Sequence, residues 1–460
     1  MPHPTAMPAR TAALNFLRRI HFYIGLFVAP FIFIAALTGT LYVITPQLEN
    51  AIFADALHVN PQGAASPLSA QIEAAQNHVG PQGKIYAVRP APNANDTTRV
   101  QFADSSYGAS ESRAIFIDPY TLAVKGDMMV YGTSGVLPIR LWLDKAHRSL
   151  LLGDLGRNYS ELAASWLWVA ALGGLILWFT TRKARTTSRK ASTFLSNRHW
   201  HTTLGLVLFV GLLFVSVTGL TWSRWAGDNI NQLRNNMGWL TPQVNTTLSQ
   251  DAHAMHADPH AEHHAAMAGM SQANEDWPRV VAAARAAGLR ADMIEIRAPK
   301  TANKAWTVTE VDRSWPTQVD AVAVNPQDFS VVDRTQFNTF PLVAKLTRWG
   351  VDAHMGILFG LPNQLLLIAF GLGLCVMIAL GYRMWWLRRP VASGPNPART
   401  LVAAWISLPT SLRIISVVIA ALLGYALPLM GISLLAFIAI DVARWKLAKS
   451  RSVVMLRSGV

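Results

Sequence analysis

The sequence predicts a membrane protein that is mainly an α-helical transmembrane bundle. Two repeats supply a four-helix core, a helical hairpin follows at the C-terminus, and two small α+β domains lie outside the membrane. Three observations predict this: long apolar runs, an uneven division of charge, and an internal repeat. Half of the 460 residues are hydrophobic (51%) and only 14% are charged, a balance typical of membrane proteins.

Four apolar stretches run from Phe22 to Ile44, Ala163 to Phe179, Leu204 to Trp222 and Leu361 to Leu380. Each falls within the roughly 17–25 residues that cross a bilayer as a helix. The first is longer than the roughly 7–15 residue core of a cleaved signal, so it reads as a retained span. A fifth apolar region, Ile414 to Ile440, is long for one span and carries "ALPLMGIS" at its middle. Pro428 and Gly431 suit a reversal between two helices there.

Charge sets the topology. Segments 1–19, 181–199, 383–413 and 441–460 hold 19 of the 40 Lys and Arg residues and one acid, Asp441. The long segments 46–160 and 223–349 hold 21 basic and 23 acidic residues. The positive-inside rule places the first group in the cytoplasm and the second outside. Both termini are then inside, which makes the span count even and favours six. The net charge of +14 thus reports topology and excludes nucleic acid as the implied partner; the lipid bilayer is the partner. The reading along the chain is a cytoplasmic N-terminus (1–19), a first span (20–45), an outer domain (46–160), a second span (161–181), a basic cytoplasmic loop (182–199) and a third span (200–222). There follow a second outer domain (223–353), a fourth span with its outer approach (354–387), a cytoplasmic linker (388–411), the hairpin (412–445) and a cytoplasmic tail (446–460).

The repeat unites these parts. Shifted by 180, His21, Gly25, Leu26 and Thr38-Gly39 meet His201, Gly205, Leu206 and Thr218-Gly219. Shifted by 207, Asp118-Pro119, Trp142, His147, Gly174 and Trp178 meet Asn325-Pro326, Trp349, His354, Gly381 and Trp385 without a gap. Several rare Trp and His matches in one frame argue against chance, and the repeating unit is span, outer domain, span. Each outer domain opens on a helix-like segment, "LSAQIEAAQNHV" or "WPRVVAAARAAGL". Short alternating strands follow, such as "KIYAVRP" and "TRVQFAD", then "AWTVTEVD" and "DAVAVNP".

The stretches "RRIHFYIGL", "FIDPYTLAVKG", "LDKAHRSLLLG", "RHWHTTLGL", "VDAHMGILFGLP" and "LPLMGISLLAFIAID" resemble the PepSY-associated transmembrane family. The resemblance covers almost the whole chain. It implies a bacterial inner-membrane haem protein with PepSY-like periplasmic domains, and some family members act as ferric-siderophore reductases.

With that resemblance the matched histidines read as two ligand pairs. His21 and His201 sit at cytoplasmic span starts, while His147 and His354 sit on the outer side. Two haem b groups, each held by two imidazoles, fit such pairs in a helix bundle. His199 is the alternative to His201, although only His201 has a counterpart in the first repeat. Arg18, Arg19 and Arg198 serve either as partners for haem propionates or as plain topology signals. A single histidine at a span end is otherwise an interfacial anchor, and the tryptophans read as interface-belt residues.

Outside the repeat lies "QDAHAMHADPHAEHHAAMAGMSQ", with His253, His256, His260, His263, His264, Met255, Met267 and Met270. Imidazole with thioether suits copper, and imidazole alone suits zinc, nickel or iron; the alternative is a solvated spacer. The single cysteine, Cys375, rules out disulfides and CxxC sites within the chain. No GxGxxG fingerprint or P-loop is present, and the cytoplasmic pieces are too short for a flavin or nicotinamide domain. The electron donor is then a quinol or a cytoplasmic reductase. The expected activity is reduction of a ferric siderophore or similar ferric chelate outside the inner membrane. Two alternatives stay open at this point: a haem-free copper- or zinc-handling membrane protein, and a non-enzymatic regulator whose outer domains bind another protein.

Overall fold

A computed structural model describes residues 8–108, 110–132, 134–181, 193–248, 274–388 and 400–457. The elements in chain order begin with helix α1 (Ala9–Val43), α2 (Thr45–Ile52), α3 (Ala54–Leu57) and α4 (Leu68–Val79). Strands β1 (Lys84–Arg89), β2 (Thr98–Ala103), β3 (Glu111–Ile117) and β4 (Val124–Tyr131) follow. Then come α5 (Pro138–Ser149), α6 (Gly153–Thr181), α7 (Thr193–Val207), α8 (Phe209–Thr221), α9 (Trp225–Asn236) and α10 (Asp276–Ala286). The second strand set is β5 (Ile294–Arg297), β6 (Trp306–Glu310), β7 (Ala321–Val324) and β8 (Val331–Thr335). Helices α11 (Leu342–His354), α12 (Leu361–Leu387), α13 (Leu401–Ile406), α14 (Thr410–Ala426) and α15 (Pro428–Arg457) complete the order. The chain divides into a helical unit (1–41, 145–238 and 365–460) and a sheet unit (42–144 and 239–364).

Four helices of the described residues are long and apolar enough to cross a membrane: Ala9–Val43, Gly153–Thr181, Leu361–Leu387 and Pro428–Leu447. A fifth candidate is the pair α7 and α8, bent by 60° at Leu208. The first repeat is irregular at the matching place. Helix α1 widens into a π-helical turn over Ile24–Val28, and Val28 lies 180 residues before Leu208. The matched Gly25 lies within the first irregularity and Gly205 just before the second, and their missing side chains leave helix geometry easier to deform. The sequence reading expected six spans. Here the sixth apolar helix, Thr410–Ala426, is shorter than the other candidates.

The C-terminal apolar region is two helices rather than one. Leu427 leaves helical geometry (φ −125°, ψ 80°), and Pro428 starts the next helix, where its missing N–H costs nothing. Gly424 and Gly431 meet across the hairpin: a Cβ added to Gly431 would lie 2.8 Å from Gly424 Cα. Asp441, 1% exposed, ties the hairpin down by accepting hydrogen bonds from Tyr23 Oη and, at 2.8 Å, from Val402 N. Trp166 Nε1 donates to Ser433 Oγ at 2.9 Å. Gly431→Leu is therefore expected to pry α14 from α15, with an overpacking cost of about 1–3 kcal/mol. Lower thermal stability in detergent would report it, and an unchanged melting curve would show that the glycine contact is dispensable.

In the sheet unit the two strand sets expected as separate domains share one antiparallel sheet, ordered β4-β3-β2-β1-β5-β6-β7-β8. The join is β1 with β5, where Ala87 pairs with Arg297 and Val88 with Ile296. The order reads the same from either end, as a repeat joined edge to edge should. Pairing β1 with β5 also closes two strand edges that would otherwise lie open. Finer features repeat at the spacing of 207. The sheet register shifts at Ile117 opposite Val124 and again at Val324 opposite Val331. The turns between them hold Leu122 (φ 61°) and Phe329 (φ 58°) in the left-handed region.

Helices α4 and α10 cover one face of this sheet. Ile72 and Ala75 of α4 and Trp277, Val280 and Ala284 of α10 pack on Val88, Val100, Ile115, Ile296, Trp306 and Val322, all buried. Trp277 and Trp306 meet edge to face with centroids 4.7 Å apart, a favourable aromatic geometry.

Candidate functional site

In the helical unit, His21 of α1 packs against α6. A Cβ added to Gly174 would lie 3.2 Å from His21 Cε1, and one added to Gly173 would lie 3.8 Å from its Nδ1. At Gly174 a side chain would crowd the ring, while at Gly173 a Cβ would make ordinary contact with it. His201 of α7 repeats the arrangement on α12, where a Cβ at Gly381 would lie 3.6 Å from His201 Cε1. Gly174 and Gly381 are partners in the repeat, as are His21 and His201. The structure thus makes the same histidine–glycine contact in each half.

The second nitrogens complete the match. His201 Nδ1 lies 2.9 Å from the Met377 carbonyl oxygen. A carbonyl only accepts, so Nδ1 carries the proton and Nε2 is left with a free lone pair. His21 Nδ1 is buried beside the Ala170 carbonyl but falls short of a well-formed hydrogen bond. Ala170 and Met377 are again 207 residues apart. The two imidazoles are close enough for the charge of one to bear on the other. Ile24, Val28, Trp166, Leu212, Leu374 and Ile378 belong to the apolar core of the same helical unit.

His199 differs. It is exposed, with its ring edge-on to Trp200 at 5.9 Å. Two residues along a helix turn a side chain by about 200°, so His199 and His201 face opposite ways. Of the two, His201 is the one turned inward.

His147, on α5 and also in the helical unit, rests over Thr38-Gly39 of α1. A Cβ added to Gly39 would lie 3.1 Å from His147 Cε1. Thr38 Oγ1 donates its single proton to Ile34 O at 2.7 Å and stands 3.2 Å from His147 Nδ1. The hydroxyl therefore accepts from Nδ1–H, which orients the His147 ring. His354 is the last residue of α11 and is half-buried in the sheet unit. Asn363 Nδ2 holds the end of that helix by donating to Ala353 O at 2.9 Å.

Of the remaining candidates, Arg18 is exposed and donates to Asn15 Oδ1 at 3.2 Å, and Arg198 is exposed. Cys375 is a half-buried free thiol. The histidine- and methionine-rich stretch, His253 to Met270, lies outside the described residues. Among the described residues no three His, Cys, Asp or Glu side chains converge as a metal-ion site.

Sequence reasoning missed a layer of charge in the sheet unit. Arg89, Arg99, Gln101, Glu295 and Arg297 occupy the centre of the sheet, with Arg140 and Arg313 close by. Burial pushes the Glu295 carboxyl up, but the charges and hydrogen bonds of Arg89 and Arg297 outweigh it and hold the group at about 2. Arg99 and Gln101 alternate with Val100 and Phe102, which in sequence reads as an ordinary solvated strand face.

Apolar helices of spanning length, joined to a repeat-built antiparallel sheet, define a membrane protein with a separate sheet-bearing unit. The family described as the PepSY-associated TM region matches residues 18–388, and the chain belongs to it. No curated protein matches the chain.

Proposed function

We propose that this protein is a membrane electron-transfer protein that uses haem b to reduce a ferric chelate. The observation that carries the reading is the duplicated arrangement of His21 on Gly173-Gly174 and His201 on Gly381. Each imidazole is set over glycine, and the backbone carbonyls near the two rings, of Ala170 and Met377, are one repeat apart. Such an outer partner fixes the tautomer and orientation of an imidazole ligand. The residues fit a b-type haem, whose iron asks the protein for only two further ligands.

Bound between two imidazoles, haem supplies one-electron transfer. The chain's own residues do the rest. His201, held by the Met377 carbonyl, presents an unprotonated Nε2. His21 presents its ring from the other repeat. His147, oriented by the Thr38 hydroxyl, is a further imidazole of the same unit. Its pairing with His354 in a second ligand set rests on the sequence repeat, and the placing of the basic segments in the cytoplasm and of the sheet unit outside rests on the distribution of charge.

A ferric chelate with hard oxygen ligands loosens on reduction, because such ligands hold ferrous iron less well. Purified protein should show a reducible Soret band and close to two non-covalent haems per chain. Chemically reduced protein should be reoxidised by a ferric chelate, with ferrous iron captured by a ferrous-specific dye. A colourless, well-folded preparation from haem-replete cells would end the proposal. Reoxidation by a quinone or a copper salt, with no response to any ferric chelate, would keep the electron conduit and remove the substrate.

A further inference from the structure

The two faces of the sheet differ in chemistry. One is apolar beneath α4 and α10. The other carries arginine at its centre, and the arginine is covered: the Arg89 side chain is 12% exposed and that of Glu295 only 4%. The β1–β2 register sets Arg89 directly across from Arg99. Like charges opposite one another on neighbouring strands are destabilising, so this placement needs a compensating partner.

The carboxylates nearby are already taken. Glu295 holds Arg89 at 2.5 Å and Arg297 at 2.6 Å. Glu49 holds Arg140 at 2.8 Å. Asp352, fully buried, holds Arg313 at 2.5 Å and is approached by Arg348 at 3.2 Å. Arg99 has no carboxylate partner among the described residues. Its guanidinium donates to Gly135 O at 2.8 Å and lies 4.8 Å over the Phe116 ring. Burial first, and then the charge of Arg89, push Arg99 down to about 9. Among the described residues, the pairs named here with Asp144 added set six arginines against four acids.

The excess converges on one turn. Arg89 Nη1 donates to Ser134 O at 3.1 Å, and Arg313 Nη1 donates to Ser134 Oγ at 2.6 Å. A Cβ added to Gly135 would lie 2.5 Å from Arg89 Nη1 and 2.7 Å from Arg99 Nη1, so two guanidinium heads sit side by side. Adjacent planar forks with surplus charge suit a ligand bearing several oxyanion groups, and a buried cation without a counter-charge is costly unless one arrives.

We infer that Arg99, with Arg89 and Arg313 around the Ser134-Gly135 turn, forms an oxyanion site that takes a carboxylate-rich, anionic ferric chelate. The inference rests on the ferric-chelate reading above and narrows it from chelates in general to negatively charged ones. A phospholipid phosphate offers the same chemistry from another source.

Gallium(III) citrate, which is not reduced, separates binding from electron transfer. Calorimetry on full-length, lipid-depleted protein in detergent should show saturable binding. Arg99→Gln should weaken it on the order of 10- to 100-fold, the scale of charge-assisted hydrogen bonds, and Arg99→Lys should recover part of the loss. Equal affinity in the parent and a folded Arg99→Gln protein would overturn the site. Should that variant not fold, the parent's salt dependence decides. Affinity must fall between about 0.05 and about 0.3 M salt, since part of the attraction is screened, and a flat response overturns the inference. Co-purifying phospholipid that is lost in Arg99→Lys, with no gallium citrate binding in the depleted parent, would assign the site to lipid instead. Haem-loaded protein that reduces a neutral ferric hydroxamate but ignores gallium citrate would refute the site and keep the reductase. Haem-free protein that binds gallium citrate would do the reverse.

Discussion

His21→Ala and His201→Ala are each expected to remove one of two haems per chain and to leave the other reducible. Gly174→Leu should copy His21→Ala, because even a Cβ at that position would stand 3.2 Å from the His21 ring and a longer side chain must displace it. Gly381→Leu should likewise copy His201→Ala, in milder form, since a Cβ there would stand 3.6 Å from the His201 ring, in ordinary contact. His199→Ala should keep both haems, because that ring is exposed. Haem per chain from a pyridine haemochrome assay, beside a thermal melt, checks the series. If these histidines only pack helices together, the alanine and leucine variants will lower the melting temperature while haem per chain stays constant. That pattern would defeat the ligand assignment even if the protein is coloured. The glycine variants sharpen the test, since they leave every candidate ligand in the chain.

The parts of this fold that were legible in the sequence are those written by local periodicity. Apolar runs of spanning length announce helices whatever surrounds them. The repeat announced the matched histidines and glycines, and it also favoured His201 over His199 before any geometry was known. It said nothing of what the histidines touch. The contact of His21 with Gly174 joins residues 153 positions apart, and that of His201 with Gly381 joins residues 180 apart. Pattern within either segment cannot reveal such pairs.

The sheet shows the opposite limit. Strands such as β1, β2, β6 and β7 are visible as alternating runs, but the β1–β5 join is a choice between strand edges that only tertiary packing makes. The charged layer was hidden for a related reason. Alternation of Arg99 and Gln101 with Val100 and Phe102 specifies two faces and does not say which neighbour covers the polar one. The break at Leu208 carries no proline to mark it. Its counterpart at Ile24–Val28 shows that the interruption belongs to the repeat rather than to one local sequence.

Glu295→Gln is expected to destabilise the sheet unit strongly. Glu295 is the counter-charge for Arg89 and Arg297, and it sits at the β1–β5 join between the two halves. Glutamine keeps the shape and removes the charge, which leaves two covered guanidiniums beside Arg99 without compensation. Breaking a buried pair in this way costs on the order of 3–5 kcal/mol. The same carboxylate predicts acid sensitivity. Its pKa is depressed from about 4.5 to about 2, so its contribution is fully present above about pH 4.5 and is lost as pH falls towards 2. The shift corresponds to about 3 kcal/mol across that window. Unfolding followed through the fluorescence of Trp277 and Trp306, both in the sheet core, should show a shallower acid dependence for Glu295→Gln over that range. A double variant that also carries Arg297→Met should recover part of the loss, because it removes one of the cations left unpaired. Equal stability of Glu295→Gln and the parent, at neutral pH and at pH 3, would mean that solvent reaches this layer and that its arginines are not in need of a counter-charge.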